Sequence, residues 1–305
     1  MSKALILSGG SIKGAWQAGA VKAIFDKGLT FDAIHGVSVG SLNGSFICQE
    51  AAKQNLPLET LDWGQLGAAL VQFWKNNIKE PNNIAKERKW HQTLISVLRN
   101  RYNGLVDTTP LQELVKRTIN PAVLQQSPIK LTVGAVNLAS GNNEFPGPGD
   151  PNFIDYLIAS TAIPIIMPVQ YIAGNKNRAY LDGGIRDVAP IGKAIDAGAD
   201  DIVCVLCQSR ETTSNFDPGN LMSLADRVME IVVNEIVNND IQRAQEINKQ
   251  LAAGGNMVGK KEVKITVIRP RQPIGLDLSN FNSGQIEDTI NSGYDTANSI
   301  LDEQS

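Results

Sequence analysis

The sequence feature that most constrains this chain is a G-x-S-x-G pattern at residues 36–40, centred on Ser38. The apolar residues 31–37 favour a short buried strand, and residues 39–52 can continue as a helix. A serine on a sharp strand-to-helix turn has a strained backbone, so the residues two positions away must lack side chains. The pattern therefore predicts that Ser38 projects from a sheet edge as a candidate nucleophile. The alternative is a glycine-rich turn in which the serine is incidental.

A second glycine-rich turn lies near the start of the chain. Residues 5–7 predict a strand and residues 15–27 a helix, with the sequence Ser-Gly-Gly-Ser-Ile-Lys-Gly between them at residues 8–14. The N–H groups of such a turn, together with a helix N-terminus, can surround a negatively charged oxygen. The pattern does not match dinucleotide-binding or Walker A loops, because its glycines are in a different order and Lys13 precedes the last one. We expect an oxyanion cradle, with nucleotide binding and a purely structural turn as the alternatives.

Length and composition indicate one α/β domain over residues 1–305. Of these residues 42% are hydrophobic and 19% charged, so the chain can bury a sizeable core. Further strands are predicted at residues 129–136, 179–181, 202–206 and 263–268. Helices are predicted at residues 153–163, 190–197, 221–251 and 283–301.

Residues 55–127 differ from the rest of the chain, because they have helical periodicity and no convincing strand. We expect a helical insertion here. Its aromatic residues include Trp63, Phe73, Trp74, Trp90 and Tyr102. These side chains could form a cap that covers the site and receives an apolar substrate, or they could be the core of a small subdomain. The sequence does not decide between the two.

Charge and cysteine content exclude several classes of protein. The formal net charge is -3 and the basic residues are scattered, so the concentrated positive field that nucleic acid needs is missing. An odd number of cysteines, Cys48, Cys204 and Cys207, favours a reducing compartment. Cys204 and Cys207 have redox spacing, but residues three apart in a strand face opposite sides, so we expect no redox or metal role.

The N-terminal apolar run is too short for a secretory signal, and no stretch reaches the roughly 18 apolar residues of a membrane span. A cytoplasmic protein is therefore expected.

A serine nucleophile needs a base, and the sequence limits the choice. The chain has two histidines, and none lies beyond His91, so the Ser, acid, His order of α/β-hydrolases cannot be assembled. We expect His35 to form a hydrogen bond in the core and His91 to lie on the surface or in subdomain packing. The base is then a carboxylate or a lysine. Asp182 follows a predicted strand and precedes two glycines, which makes it the best-placed carboxylate, provided that it is desolvated and hydrogen-bonded to Ser38.

These segments resemble, in order, the motifs of the patatin-like phospholipases of the bacterial type. Residues 8–14 are similar to the oxyanion motif of the family, residues 36–40 to its nucleophile motif and residues 182–184 to its D-G-G/A motif. Residues 159–164 also resemble the segment that these proteins carry before the aspartate. The resemblance covers most of the chain outside residues 55–127, where the family itself varies.

The resemblance implies an α/β/α fold of three layers with a central, mostly parallel sheet. It also implies a carboxylic ester hydrolase that cleaves phospholipid, lysophospholipid or another acyl ester through a Ser38–Asp182 dyad and an acyl-enzyme. The oxyanion would be held by the amides of Gly9, Gly10 and Ser11. The residues that support the motifs are Lys13, Gly14, Gly36, Gly40, Gly183 and Gly184. The scheme requires no metal and no cofactor.

Two positions depart from the family pattern. Ser11 replaces a third glycine, and it keeps the backbone N–H but loses the tolerance of positive φ. Val188 stands where many members have asparagine. The same dyad could transfer the acyl group to an acceptor other than water, and a non-catalytic lipid- or acyl-binding protein could keep the fold. Transient contact with a membrane surface is a further expectation.

Overall fold

The computed structural model describes residues 2–88, 103–211, 217–219, 221–254 and 261–303. The expectations for Trp90, His91 and Tyr102 lie outside these residues. The strands are β1 (Lys3–Leu7), β2 (Ala33–Val37), β3 (Lys86–Glu87), β4 (Val106–Asp107), β5 (Lys130–Asn137), β6 (Asn143–Glu144), β7 (Gln170–Tyr171), β8 (Ala179–Asp182), β9 (Asp201–Val205) and β10 (Lys264–Ile268). The helices are α1 (Gly14–Asp26), α2 (Val39–Gln54), α3 (Trp63–Asn77), α4 (Thr109–Thr118), α5 (Pro121–Leu124), α6 (Phe153–Ser160), α7 (Ile191–Asp196), α8 (Leu221–Ala252) and α9 (Ser283–Asp302).

The main sheet has the strand order β10-β9-β1-β2-β5-β8-β7. The strands from β10 to β5 are parallel, whereas β8 is antiparallel to β5 and to β7. The short strand β6 also pairs with β5. Because β1 lies between β2 and β9, the loops that follow these three strands meet at one edge of the sheet. Open α/β sheets bind their ligands at such a point.

Helices cover both faces of the sheet. In β1, Leu5 and Leu7 point to one face and Ala4 and Ile6 to the other, and all four are buried. The first face packs against α1, α2 and α6, with α3 and α9 packed against α1, and the second face packs against α7 and α8. A parallel sheet needs this burial on both faces. The predicted three-layer α/β/α fold is therefore confirmed.

Some of the predicted elements differ from the observed ones. The segment expected to lack strands contains β3 and β4, which pair as a short antiparallel ribbon. The helix predicted over residues 153–163 ends at Ser160, since Pro164 disfavours a helical conformation in the residue before it. The segment at residues 221–251 forms one helix, α8. None of the described helices is both long and apolar enough to cross a bilayer.

The aromatic side chains of α3 belong to the main core. Trp63, Phe73 and Trp74 are all buried, and α3 packs against α1. These side chains therefore stabilise the three-layer fold and do not form an exposed apolar cap. The single domain over residues 1–305 and the helical insertion over residues 55–127 stay predictions.

Helices α1 and α9 cross with their backbones in contact. A Cβ atom on Gly19 would lie 1.8 Å from the carbonyl oxygen of Ile290, and one on Gly293 would lie 2.0 Å from that of Trp16. No side chain fits at either distance. Glycine at both positions is therefore what allows α9 to pack on α1.

Gly293→Ala should lower the free energy of unfolding by about 3 kcal/mol, because the added methyl group forces the two helices apart. Gly192→Ala on α7 is the matched control, since a Cβ atom there meets nothing within 4 Å. The control should change the free energy of unfolding by less than about 1 kcal/mol. Urea denaturation measures both variants, and equal stability would contradict the close helix crossing.

Candidate active site

Ser38 lies between β2 and α2, at the carboxyl edge of the sheet. Its backbone has φ 56° and ψ -129°, a conformation that residues with a side chain rarely adopt. The hydroxyl of Ser38 makes no capping hydrogen bond to α2. Ser38 and Asp182 border the same pocket, and interaction with the Ser38 side chain lowers the pKa of the Asp182 carboxyl group. The structure thus brings the predicted nucleophile and the predicted base into contact.

The glycines on either side of Ser38 are required by close backbone packing. A Cβ atom on Gly36 would lie 2.4 Å from the carbonyl oxygen of Gly40, and one on Gly40 would lie 2.0 Å from that of Leu7. The first turn of α2 therefore rests directly against the end of β1. This contact brings the glycine-rich turn after β1 next to the serine.

That glycine-rich turn faces Ser38, but its amides are not equivalent. A Cβ atom on Gly9 would lie 3.0 Å from the Cβ of Ser38. The amide of Gly9, expected among the oxyanion donors, instead donates to the carbonyl oxygen of Val188 over 3.1 Å. Among the described residues, the amides of Gly10 and Ser11 have no hydrogen-bond partner. Ser11 has φ 53°, so the serine adopts the left-handed conformation that normally favours glycine. Of the three expected donors, Gly10 and Ser11 remain available.

Asp182 ends β8 and is a buried carboxylate. It accepts a hydrogen bond from the amide of Gly184 over 2.8 Å. Burial raises the pKa of Asp182 from 3.8 to about 6, and the interactions with Ser38 and Gly184 lower that pKa only in part. A base whose pKa lies close to neutrality is better suited to take a proton from an alcohol than an ordinary carboxylate.

His35 lies within β2 and does not border this site. Its Nδ1 atom is 2.7 Å from the hydroxyl of Thr132, while its Nε2 atom has no partner among the residues that the structure describes. Burial, together with the charge of Lys193, lowers the pKa of His35 to about 4. The imidazole is therefore neutral at physiological pH, held inside the sheet.

The dyad opens into one pocket with a largely apolar wall. The expected site residues that border the pocket are Gly9, Gly10, Ser11, Lys13, Ser38, Asp182 and Gly184. Its apolar wall consists of Ile12, Ile163, Val188, Met229 and Val233. Gly14, Gly36, Gly40 and Gly183 do not border it and instead pack behind the turns. An apolar pocket with a few convergent polar groups is typical of a site for a small ligand.

A comparison with protein families matches residues 5–195 of this chain to the model described as patatin-like phospholipase. The chain belongs to the patatin-like phospholipase family. The matched residues include the turn after β1, the Ser38 turn and Asp182. Members of this family are lipid acyl hydrolases, which makes an esterase the activity expected at the level of the family.

The individual relatives are similar over shorter stretches or at low identity. The proteins named neuropathy target esterase sws from Drosophila persimilis and Drosophila grimshawi are each 34% identical over 61 residues. Those residues are 20% of this chain and 4% of either relative, so the chain spans only a small part of their length. Among solved structures, VipD from Legionella pneumophila has a TM-score of 0.47 and 14% identity, covering 99% of this chain and 67% of VipD.

Val188, the position at which many patatin-like proteins have asparagine, acts here through its backbone and its apolar side chain. Its carbonyl oxygen accepts the hydrogen bond from Gly9, and its side chain forms part of the pocket wall. The loss of an amide side chain therefore leaves the glycine-rich turn anchored and makes the pocket more apolar.

Sequence reasoning missed the part of the pocket that comes from the C-terminal third of the chain. Gln208, just after β9, donates from Nε2 to the carbonyl oxygen of Gly9 over 2.9 Å. Met229, Glu230 and Val233 of α8 complete the wall. No local motif marks these residues; the only available signal is that β9 must neighbour β1 in the sheet.

Lys13, which matches the basic position of the family motif, is directed toward α8. Its Nζ atom lies 3.3 Å from Oε1 of Glu230, whose Oε2 atom accepts from Arg227 over 2.9 Å. The ion pair joins the start of α1 to the helix that closes one side of the pocket. The lysine thus links two walls of the site.

Cys204 and Cys207 diverge, as their strand spacing predicts. Cys204 packs into the core between the sheet and α7 and α8, whereas Cys207 packs into the core on the opposite face. Both thiols are free and buried, and burial raises the pKa of Cys207 to about 12. Neither thiol is placed for redox chemistry.

The burial of Asp182 predicts a pH-dependent cost in stability. The pKa of Asp182 is higher in the folded than in the unfolded chain, so the folded state binds more protons between about pH 4 and 6. The contribution of Asp182 to the free energy of unfolding therefore falls as the pH rises through that window. Asp182→Asn removes the charge and can keep the hydrogen bond from Gly184. The variant should gain on the order of 2 kcal/mol relative to wild type at pH 8 and much less at pH 4.

Denaturation of wild type and Asp182→Asn at the two pH values measures this difference. Asp196→Asn serves as the control, because Asp196 is exposed at the end of α7 and has no burial to relieve. The interpretation fails if the stability gained by Asp182→Asn is the same at both pH values.

Proposed function

We propose that this protein hydrolyses lipid acyl esters with a Ser38–Asp182 dyad, acting as a phospholipase A or lysophospholipase. The observation that carries the proposal is that Ser38 and a buried carboxylate whose pKa is about 6 lie side by side in the lining of an apolar pocket. Family membership supports the general class of reaction. The physiological substrate is a phospholipid, a lysophospholipid or another acyl ester.

In the acylation step, Oγ of Ser38 attacks the carbonyl carbon of the ester while Asp182 takes the hydroxyl proton. Negative charge then develops on the carbonyl oxygen. The unpaired amides of Gly10 and Ser11 are the donors for this oxyanion, which they stabilise without reorganisation because the turn is already formed. Collapse of the tetrahedral intermediate breaks the ester bond, and Asp182 returns its proton to the leaving alcohol.

In the deacylation step, Asp182 takes a proton from water, and the resulting hydroxide attacks the acyl group on Ser38. The same amides hold a second tetrahedral intermediate. Its collapse breaks the bond between the acyl carbon and Oγ of Ser38, Asp182 returns its proton to Oγ, and the free fatty acid leaves. Transfer to an alcohol in place of water would use the same intermediate. The apolar wall of Ile12, Ile163 and Met229 suits the acyl chain in either case.

Ser38→Ala and Asp182→Ala should each lower kcat by about 10³-fold or more on a panel of phospholipid, lysophospholipid and neutral ester substrates. The two losses should be similar, because the residues act as a unit. A fluorophosphonate probe should label wild type and not Ser38→Ala. Full activity in Asp182→Ala would exclude the dyad.

The pH profile provides a control within the same experiment. The ionised form of Asp182 is the base, so kcat/KM of wild type should fall as the pH drops below about 6. The carboxyl group of Asp187 also has a pKa of about 6, raised by burial and by Asp240, but it does not border the pocket. Asp187→Asn should therefore retain both the activity and the acid limb, which is the fall in kcat/KM at low pH.

The same panel distinguishes the competing functions. Product found only on an added alcohol acceptor would identify an acyltransferase. Failure of wild type to react with the fluorophosphonate, under conditions that label a known serine esterase, would favour a non-catalytic lipid- or acyl-binding protein.

We also propose that the N-terminal half of α8 contacts a phospholipid surface. Leu224, Val228, Ile231 and Val232 are 38–50% exposed and follow helical spacing along one side of the helix. The opposite side of the same turns contributes Met229, Glu230 and Val233 to the pocket. Beyond Glu235 the exposed positions become polar. Because the same turns of α8 carry this exposed face on one side and the pocket wall on the other, binding of the face to a bilayer would place the pocket close to the membrane surface.

The double variant Val228→Ser, Ile231→Ser should weaken binding to phosphatidylcholine vesicles by about tenfold or more, because it removes two aliphatic side chains from the contact. Leu56→Ser is the matched control, since Leu56 is 43% exposed and lies away from the pocket. Vesicle sedimentation measures the binding, and hydrolysis of a short-chain soluble ester should be unchanged in both proteins. Unaltered sedimentation of the double variant would exclude this surface.

A further inference from the structure

The backbone amide of Ser38 is held by a side chain from a distant part of the chain. It donates over 2.9 Å to Oγ of Ser160, the last residue of α6. Ser160 is completely buried. A non-glycine residue keeps a strained conformation such as that of Ser38 only where its surroundings hold it there. The bond from Ser160 is therefore part of what fixes the nucleophile.

The hydroxyl group of Ser160 has its full set of hydrogen-bond partners. A serine hydroxyl has one proton to donate and two lone pairs to accept with. Ser160 donates its proton to the carbonyl oxygen of Gly134 over 2.6 Å, so the hydroxyl of Ser41, at 2.8 Å, must be a donor to Ser160. With Ser38 as the second donor, one oxygen atom joins β5 to the first turn of α2.

The same short segment also holds Asp182. The carbonyl oxygen of Ala162 accepts from the backbone amide of Asp182 over 3.0 Å. The carbonyl oxygen of Gly134, which accepts from Ser160, lies so close to Gly183 that a Cβ atom there would be 2.7 Å away. Residues 160–162 thus contact the backbone of both members of the dyad, and Gly134 lies against Gly183, the residue after Asp182.

We propose that Ser160 is a positioning residue of the dyad, and that its hydroxyl sets the placement of Ser38 relative to Asp182. The inference rests on the proposed function of these two residues. When the hydroxyl is removed, the amide of Ser38 loses its hydrogen-bond partner. The turn at Ser38 is then no longer linked through Ser160 to β5, the strand that pairs with β8 and Asp182. A displacement of about 1 Å between reacting groups can cost on the order of 10²-fold in rate.

A buried serine can also have a purely structural role, and the chain offers a control for it. Ser45 lies on α2, is as buried as Ser160, and its hydroxyl has no partner in the described part of the chain. Ser45→Ala therefore removes a buried hydroxyl of the same kind without releasing Ser38. Ser160→Cys provides a second variant at the site, since a thiol fills the space but accepts hydrogen bonds only weakly.

The experiment measures kcat, KM, the pH profile and thermal stability of wild type, Ser160→Ala, Ser160→Cys and Ser45→Ala on one soluble ester. Ser160→Ala should lower kcat by about 10²-fold with KM within about threefold of wild type, because substrate binding by the pocket wall is untouched. The fall in activity at low pH should move to higher pH, since interaction with Ser38 lowers the pKa of Asp182 and a displaced Ser38 interacts with it less. Ser160→Cys should show the same pattern to a smaller extent, and Ser45→Ala should match wild type in kcat and in the acid limb.

The outcomes separate this inference from the proposed function. An inactive wild type would overturn both. If wild type is active and folded Ser160→Ala keeps the same kcat and pH profile, the positioning role alone is overturned. Should the alanine variant not fold, the same result in Ser160→Cys overturns it. A loss of thermal stability without a change in kcat would also overturn the positioning role, because it identifies Ser160 as structural.

Discussion

The backbone contact between the end of β1 and the first turn of α2 is the constraint on which the rest of the site depends. It is possible only because Gly40 carries no side chain against the carbonyl oxygen of Leu7. The contact presses the strained turn at Ser38 against the glycine-rich turn that follows β1. Ser38 and the unpaired amides of Gly10 and Ser11 thus become neighbours through the packing of the sheet edge.

Burial determines the chemistry that this arrangement can perform. Asp182 lies at the end of a strand, accepts a hydrogen bond from Gly184 and interacts with Ser38, yet the loss of water around it dominates and raises its pKa. The same loss of water that makes the carboxylate more basic also lowers the free energy of unfolding when the carboxylate is ionised. Functional sites commonly combine activity with a local loss of stability in this way. The surrounding layers of packed helices supply the stability that the site itself lacks.

The elements that the sequence predicted well are those governed by local physics. The strands, the helices and the turns at Ser38 and Asp182 follow from hydrophobic periodicity and from glycine placement, which depend on neighbours in the chain. Contacts between distant segments were beyond this reasoning. The hydrogen bond from the Gly9 amide to Val188 leaves fewer oxyanion donors than expected, and the pocket wall from α8 was not anticipated. The short pair β3 and β4 was missed because its strands are too brief to show a period.

By itself, the sequence determined the class of fold, the order of the motifs and the absence of a histidine that could complete a triad. It also identified Ser38 and Asp182 as the residues to pair, since each follows a strand and is flanked by glycine. Only the tertiary structure decided which amides remain unpaired, how strongly Asp182 is desolvated, and that the backbone amide of Ser38 donates to Ser160 of α6. The physical reason is that turn conformation depends on adjacent residues, whereas desolvation and hydrogen-bond partners depend on what the folded chain places around each group.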